Sequence, residues 1–300
     1  MAMTVTFWGV RGSIPTPGRA TARYGGNTSC VEVRIGDERI VLDMGSGLRL
    51  LGGTYFAEGT KEISFLMSHY HWDHILGMPF FGPAYDPSRT VVVYGAERFG
   101  QGAGGALAGQ MVGPYFPIDI GAMRAKMDFR LIADGSEFDV GPAHVTAAEL
   151  SHPGGVLAFR IEAEGHSVVY ATDFEHGLGK DDALVSLAKD ADLLIYDAMY
   201  TPDEYQRHQG WGHSTWVEGI RIAKAAGVRQ LALFHHDPSH DDAQVAAIEA
   251  AAKLEFKGAF AAREGRSVIV GSRSRRGVSG SGRGTAGTSR APRAAARNAR

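Results

Sequence analysis

The sequence predicts a layered mixed α/β domain, and three of its features lead there. Short apolar runs of four to seven residues recur in two blocks. Helical stretches with marked ends crowd the second block, and ionisable side chains collect where apolar runs stop. In the first block the runs are residues 4–7, 29–35, 39–42, 63–67 and 90–94. In the second they are 144–148, 156–161, 167–170, 193–196 and 230–234. Runs this short, rich in valine, isoleucine and phenylalanine, read as buried strands rather than helices. Strands and helices in these numbers pack as layers around a shared core.

The elements follow in order. The first eight residues lack the basic start and apolar core of a signal peptide and read as the first strand. Between residues 95 and 121 the chain is heavy in glycine and closes on Pro114-Tyr115-Phe116-Pro117, which predicts a long loop of the kind that serves as a lid. Tyr115 and Phe116 are candidates there for stacking on a substrate ring, or else for pinning the loop to the core. Helices are expected over 181–189, 215–226 and 242–254. The second is the best marked: Thr215 with Glu218 makes a Thr-x-x-Glu capping box, and Gly227 ends the helix.

Three hundred residues, 44% hydrophobic and 21% charged, suit one globular domain, taken as residues 1–271. No apolar run approaches the ~20 residues that cross a bilayer, so no membrane partner is expected. The single cysteine, Cys30, excludes an intrachain disulfide and fits a cytoplasmic setting. Beside Val31 and Val33 it reads as a small core residue. The net charge of −2 conceals an asymmetry. Residues 272–300 hold eight arginines and no Asp, Glu or Lys, which leaves the domain 23 of the 31 basic side chains against 33 acidic ones. That tail, rich in Gly, Ser, Ala and Arg, has no hydrophobic period and is expected to be disordered. It is either a solvated extension or a grip on nucleic acid.

His69-Tyr70-His71-Trp72-Asp73-His74 is the most informative stretch. It places three imidazoles and a carboxylate in six residues, directly after the apolar run 63–68. Crowding such groups beside a core is expensive unless something compensates, and neutral imidazole with carboxylate is a donor set that Zn²⁺ and similar ions prefer. Alternation turns His69 and His71 the same way, while Asp73 and His74 lie beyond, where the chain turns. Two groups of ligands facing two neighbouring points suit a pair of metal ions.

His-x-His-x-Asp-His after a hydrophobic strand resembles the signature of the metallo-β-lactamase-fold hydrolases. The later residues extend the likeness in order: His152 in Ser151-His152-Pro153, Asp173 after Tyr170-Ala171-Thr172, and His235 after Leu231-Ala232-Leu233-Phe234. The resemblance covers nearly the whole chain up to about residue 271. It implies a four-layer αββα sandwich and two divalent ions, zinc foremost, with Mn²⁺ and Fe²⁺ accepted by the same donors. It assigns His69, His71 and His152 to one ion, Asp73, His74 and His235 to the other, and Asp173 to both. His236 competes with His235, which is favoured because it ends the strand directly. Asp43, in Asp43-Met44-Gly45-Ser46-Gly47, looks like the family's Asp-x-Gly-x-Gly turn, whose acid supports metal-bound imidazoles. A turn-forming Asp before glycines is the alternative.

Two ions joined by a carboxylate acidify a shared water and clamp the oxygens of an electrophile, so hydrolysis is the implied reaction. Asp73 and His213 are its candidate catalytic residues. His213 precedes the helix over 215–226, where N–H groups favour an anion. An imidazole there can bind a phosphate oxygen or protonate a leaving alkoxide. Gly212-His213-Ser214-Thr215, with the stretches 222–228 and 231–235, is similar to the phosphodiesterase branch, which includes ribonuclease Z and the phosphoribosyl cyclic phosphodiesterases. Two departures stand out. Nothing matches the Gly/Pro-rich arm with which ribonuclease Z grips transfer RNA, and its Ser-x-Arg-Tyr after the last His is here His236-Asp237-Pro238-Ser239-His240. With the acidic domain, they favour a small phosphodiester, such as a cyclic nucleotide or cyclic sugar phosphate. RNA processing, lactone or thioester hydrolysis, and non-catalytic nucleotide binding are the alternatives. Arg11, in Gly9-Val10-Arg11-Gly12-Ser13, is a candidate phosphate clamp or a structural Arg in a glycine turn. Members of this branch commonly pair, so a homodimer is the implied assembly.

Overall fold

Two seven-stranded sheets face each other in the computed structural model, which describes residues 2–271. The arginine-rich stretch 272–300 lies outside the described residues. The first sheet holds β1 (Met3–Gly9), β2 (Cys30–Ile35), β3 (Glu38–Leu42), β4 (Glu62–Leu66), β5 (Thr90–Gly95) and β6 (Lys126–Leu131). The second holds β7 (Glu137–Val140), β8 (Ala143–Leu150), β9 (Val156–Ala163), β10 (His166–Ala171), β11 (Leu193–Asp197), β12 (Gln230–Phe234) and β13 (Ala259–Ala261). The last strand, β14 (Ser267–Val270), returns to pair with β1 on the first sheet.

Both sheets are built alike. In the first, the run β14-β1-β2-β3 is antiparallel and β3-β4-β5-β6 is parallel. In the second, β7-β8-β9-β10 is antiparallel and β10-β11-β12-β13 is parallel. Parallel strands need crossovers, and these carry the covering helices.

Three buried layers separate four layers of structure. Val5, Phe7, Val33 and Leu42 of one sheet meet Phe159, Tyr170, Ile195 and Phe234 of the other in the middle. Alternation along β1 sets its part, since Met3, Val5 and Phe7 are buried and the residues between them are only half-buried. Outside the first sheet, Val41, Phe65 and Val93 pack under α1 (Leu48–Glu58), the turn α2 (Trp72–Ile75) and α3 (Ala103–Gly109). Outside the second, Leu194 and Leu231 pack under α4 (Asp181–Leu187), α6 (Trp216–Ala226) and α7 (Asp242–Glu255), with α5 (Pro202–Tyr205) a single turn between them. This is the αββα sandwich. Cys30 is buried in the outer layer of the first sheet.

The stretch 95–121 differs from its expected form as one long loop. α3 crosses it, because Ala103 and Leu107 give it a buried face, continued by Met111 just beyond its end, that outweighs its glycines. The capping box at α6 is half made. Thr215 Oγ1 accepts from Glu218 N at 3.2 Å, but the Glu218 carboxylate pairs with Arg221 instead of reaching back. Gly227 closes the helix at φ 72°. Among the described residues no helix is long and apolar enough to cross a membrane.

Candidate metal centre and active site

Six strands end at one edge of the sandwich, and each brings a functional side chain with it. Asp43 follows β3, His69 follows β4, His152 follows β8, Asp173 follows β10, Asp197 ends β11 and His235 follows β12. Asp43, Asp173 and His235 have φ of 60°, 52° and 60°. Aspartate and histidine are among the few side chains that tolerate this left-handed region, at a cost on the order of 1–3 kcal/mol each. The backbone break turns each side chain off its sheet and toward the shared edge. His71 stands at the N-cap position of α2 without a side-chain cap hydrogen bond, and Asp73 and His74 occupy the helix's first turn.

These residues form two adjoining donor sets, His69, His71 and His152 with Asp173, and Asp73, His74 and His235 with Asp173. Asp173 faces both. Its Oδ1 is 3.7 Å from His69 Nε2 and 3.9 Å from His152 Nε2; its Oδ2 is 3.1 Å from His74 Nε2 and 3.3 Å from His235 Nε2. Asp73 Oδ2 lies 3.2 Å from Nε2 of both His74 and His235. Donors placed tetrahedrally about 2.0–2.1 Å from zinc stand roughly 3.4 Å apart, so the spacing fits. His236 turns away: its Nε2 bonds Ala262 O at 2.9 Å, and burial pushes its pKa down to about 3.

The outer hydrogen bonds decide which ring nitrogen faces inward. His74 Nδ1 donates to Asp43 Oδ2 at 2.8 Å, and His152 Nδ1 donates to Gly212 O at 2.8 Å. Ser68 gives its hydroxyl proton to Asp43 at 2.7 Å, so its oxygen is free to accept from His69 Nδ1 at 3.0 Å. Asp43 also accepts from Ser68 N and from Tyr170 OH, both at 2.8 Å. The inner Nε2 of His69 and of His152 is thereby left with its lone pair. Burial opposes charge on His74, but Asp73, Asp173 and Asp43 overcome it and raise its pKa well above the ordinary value, so a cation there displaces a proton. His69 Nε2 is buried with no hydrogen-bond partner among the described residues, a costly state that a cation relieves. His71 Nδ1 and His152 Nε2 face each other at 3.1 Å, which two lone pairs tolerate around a shared cation. Burial pushes the pKa of His69, His71 and His152 down and keeps them neutral, the form that binds metal. Burial also opposes ionisation of Asp73, but His74 and His235 outweigh it and hold that carboxyl below its usual range.

A cavity of about 480 Å³ opens over this edge, lined by Ser13, His71, Trp72, Asp73, Asp173 and His213. The His213 Nδ1 donates to Asp197 Oδ2 at 2.8 Å, and Met199 N holds Asp197 Oδ1 at 3.0 Å. Burial lowers the His213 pKa, but the carboxylates of Asp197, Asp173 and Asp73 overcome it and raise the value to about 9. Ser13 N donates to Asp73 Oδ2 at 2.8 Å from the opposite wall.

Arg11 is a correction. Its side chain is fully buried and turned from the cavity; Nε donates to Gly25 O at 2.9 Å, and Nη1 donates to Asp237 O at 3.0 Å and His240 O at 2.6 Å. It ties the N-terminal loop to the segment after β12 instead of clamping phosphate. Arg11→Met is expected to lower the unfolding free energy by about 2 kcal/mol or more while metal content stays unchanged, read from urea titration and elemental analysis. Tyr115 is 83% exposed and Phe116 packs edge-on against Phe80 at 5.8 Å; neither lines the cavity, so the pinning alternative describes Phe116.

Two positioning residues are additional to those read from the sequence. Asp197 had a signal, an apolar run ending in a carboxylate as at Asp173. Glu175 had none, because it works through backbone groups. Its two oxygens accept from Gly210 N at 2.6 Å and Gly212 N at 2.7 Å, which fixes the carbonyl that orients His152. Gly212 has φ 89°, and a Cβ there would lie 2.2 Å from His152 Nδ1.

Residues 40–236 match the Beta-lactamase superfamily domain. The chain belongs to that family. A relative within it, the probable metallo-hydrolase YhfI of Bacillus subtilis (strain 168), is 28% identical over 252 residues, spanning 80% of this chain and 90% of its own. The crystal structure of YhfI, described as a metallo-beta-lactamase fold protein, aligns with a TM-score of 0.68 at 25% identity, covering 89% of this chain and 99% of YhfI. Ribonuclease Z of Natronomonas pharaonis is 28% identical over 289 residues, spanning 78% of this chain and 87% of its own. The beta-lactamase superfamily fold and the His/Asp donor sets make this chain a metal-dependent hydrolase.

Proposed function

We propose that this hydrolase is a phosphodiesterase, cleaving a small phosphodiester such as a cyclic nucleotide or cyclic sugar phosphate with two divalent ions, zinc first among them. One observation carries the reading: His213, locked to buried Asp197, lines the cavity with Asp73 and stands beside Asp173, 3.8 Å from its Oδ1. His69, His71 and His152 would hold one ion, Asp73, His74 and His235 the other, with Asp173 shared. A divalent pair so held acidifies water and neutralises charge on the substrate's oxygens. Asp73, ionised and fixed by Ser13 N, orients the attacking water. His213, with its Nδ1 proton committed to Asp197, presents Nε2 to the phosphate and protonates the departing alkoxide.

The ten-charge acidic excess of residues 1–271 disfavours RNA as a substrate. The Zn²⁺- or Mn²⁺-loaded protein should turn over bis(p-nitrophenyl) phosphate, cyclic nucleotides or cyclic sugar phosphates in preference to thioesters and lactones. Clear turnover of the carboxyl esters with none of any phosphodiester sinks the proposal. Asp43 provides a second check. Asp43→Ala removes the acceptor for His74 Nδ1, and is expected to weaken metal binding about 10–100-fold in chelator competition.

A further inference from the structure

We infer that a second cavity beside the metal centre, bounded by Trp72 and Phe99, receives a nucleobase, so that the phosphodiester cleaved carries a nucleoside rather than a bare sugar. The inference rests on the phosphodiesterase reading. The cavity, about 360 Å³, shares His69 and His71 with the metal centre, so a group filling it lies beside a phosphate held there. Two large rings border it, and both are left in solvent: Trp72 is 79% exposed and Phe99 is 90% exposed. Exposed apolar surface gathered at the mouth of a functional cavity marks a contact to be made.

The backbone under Phe99 strengthens the case. Arg98 N donates to Gln101 O at 2.8 Å and Gln101 N donates to Arg98 O at 2.9 Å, with φ of 50° at Phe99 and 75° at Gly100. This is the type I′ pattern, whose first central position favours Asn, Asp or Gly because a larger side chain is strained at positive φ. Phenylalanine there is locally unfavourable and recovers little by burial, its ring edge only resting over Gly154. A ligand stacked on the ring supplies the missing compensation. Polar groups meet the rim of such a ligand. Gln110 donates through Nε2 to Ile75 O at 3.1 Å, which leaves its amide oxygen to accept. Arg98, anchored to Glu149 at 2.7 Å, also borders the cavity. A flat heteroaromatic ring stacks its whole π face on an aromatic side chain and carries polar atoms at its edge; an acyl chain lacks the polar edge, and a sugar offers only C–H groups to stack.

Calorimetric titration of the zinc-loaded full chain with adenosine 5′-monophosphate and with ribose 5-phosphate tests this. The nucleotide should bind at least tenfold more tightly, and Trp72→Ala and Phe99→Ala should each remove roughly tenfold of that advantage. Phe99 is distant in sequence from every proposed ligand, so its variant decides the matter if Trp72→Ala loses metal. Equal affinity for the two phosphates, or Phe99→Ala binding the nucleotide as wild type does, overturns the pocket. Turnover of bis(p-nitrophenyl) phosphate and the cyclic phosphodiesters by the same preparation judges the underlying reading separately: turnover of any of them confines such a failure to the pocket, and turnover of none, beside clear turnover of carboxyl esters, removes the phosphodiesterase.

Discussion

With two ions per chain bound as proposed, Asp173→Asn is expected to lower that content to one or none and to cut phosphodiester turnover by about 10³-fold or more, since loss of even one preorganised electrostatic group costs about 10²–10³. Asparagine keeps the shape of the side chain but exchanges one oxygen for an amide group that donates hydrogen bonds and cannot ligate. Neither oxygen of Asp173 is spare. Five imidazoles, of His69, His74, His152, His213 and His235, have a nitrogen within 3.9 Å of one or the other. Burial pushes the Asp173 carboxyl up, but the imidazoles of His235 and His74 foremost overcome it in the metal-free protein and hold the group well below its ordinary range. Such a lowered carboxyl adds stability that is present above the unfolded value near pH 4 and is lost as the pH falls through the folded one. Metal-free wild type should therefore exceed metal-free Asp173→Asn in thermal stability at neutral pH, with the gap closing in acid. Elemental analysis showing two ions in an active variant removes Asp173 from the shared position.

Much of this centre was legible because its chemistry is local or announced by strand ends. His69 to His74 lie within six residues, and His152, Asp173 and His235 each follow an apolar run whose end the sequence marks. Asp197 carried the same mark, but its meaning depends on His213, which only the fold brings to it. Arg11 shows the opposite failure. A guanidinium in a glycine turn suits phosphate and backbone carbonyls equally, and sequence holds no information on which lies in front of it. α1 escaped notice because Gly52-Gly53 depresses helix propensity at its middle, although Leu48, Leu51, Gly52 and Tyr55 form its buried face. β6 is an exposed edge strand, and β13 has three residues, so neither shows a period.

His213→Ala is expected to divide substrates by their leaving groups. For a cyclic nucleotide, whose alkoxide needs a proton to depart, kcat should fall about 10²–10⁴-fold. For bis(p-nitrophenyl) phosphate, whose phenolate leaves as the anion, the loss should stay within about tenfold. The Asp197 carboxylate, 2.8 Å from His213 Nδ1, determines the pH range of this effect. In the metal-free protein burial works against the charged imidazole, and Asp197, Asp173 and Asp73 together raise its pKa to about 9. Bound cations would neutralise the contributions of Asp173 and Asp73, leaving Asp197 as the partner that keeps the proton on the ring. A group with a raised pKa serves as an acid below that value and fails as the pH rises through it. Asp197→Asn should therefore move the alkaline limb of kcat for the cyclic nucleotide to lower pH, and should leave the p-nitrophenyl profile nearly fixed. Equal losses on both substrates across the pH range would show that His213 binds phosphate without donating a proton. In that event a different donor, or water, would have to serve the leaving oxygen.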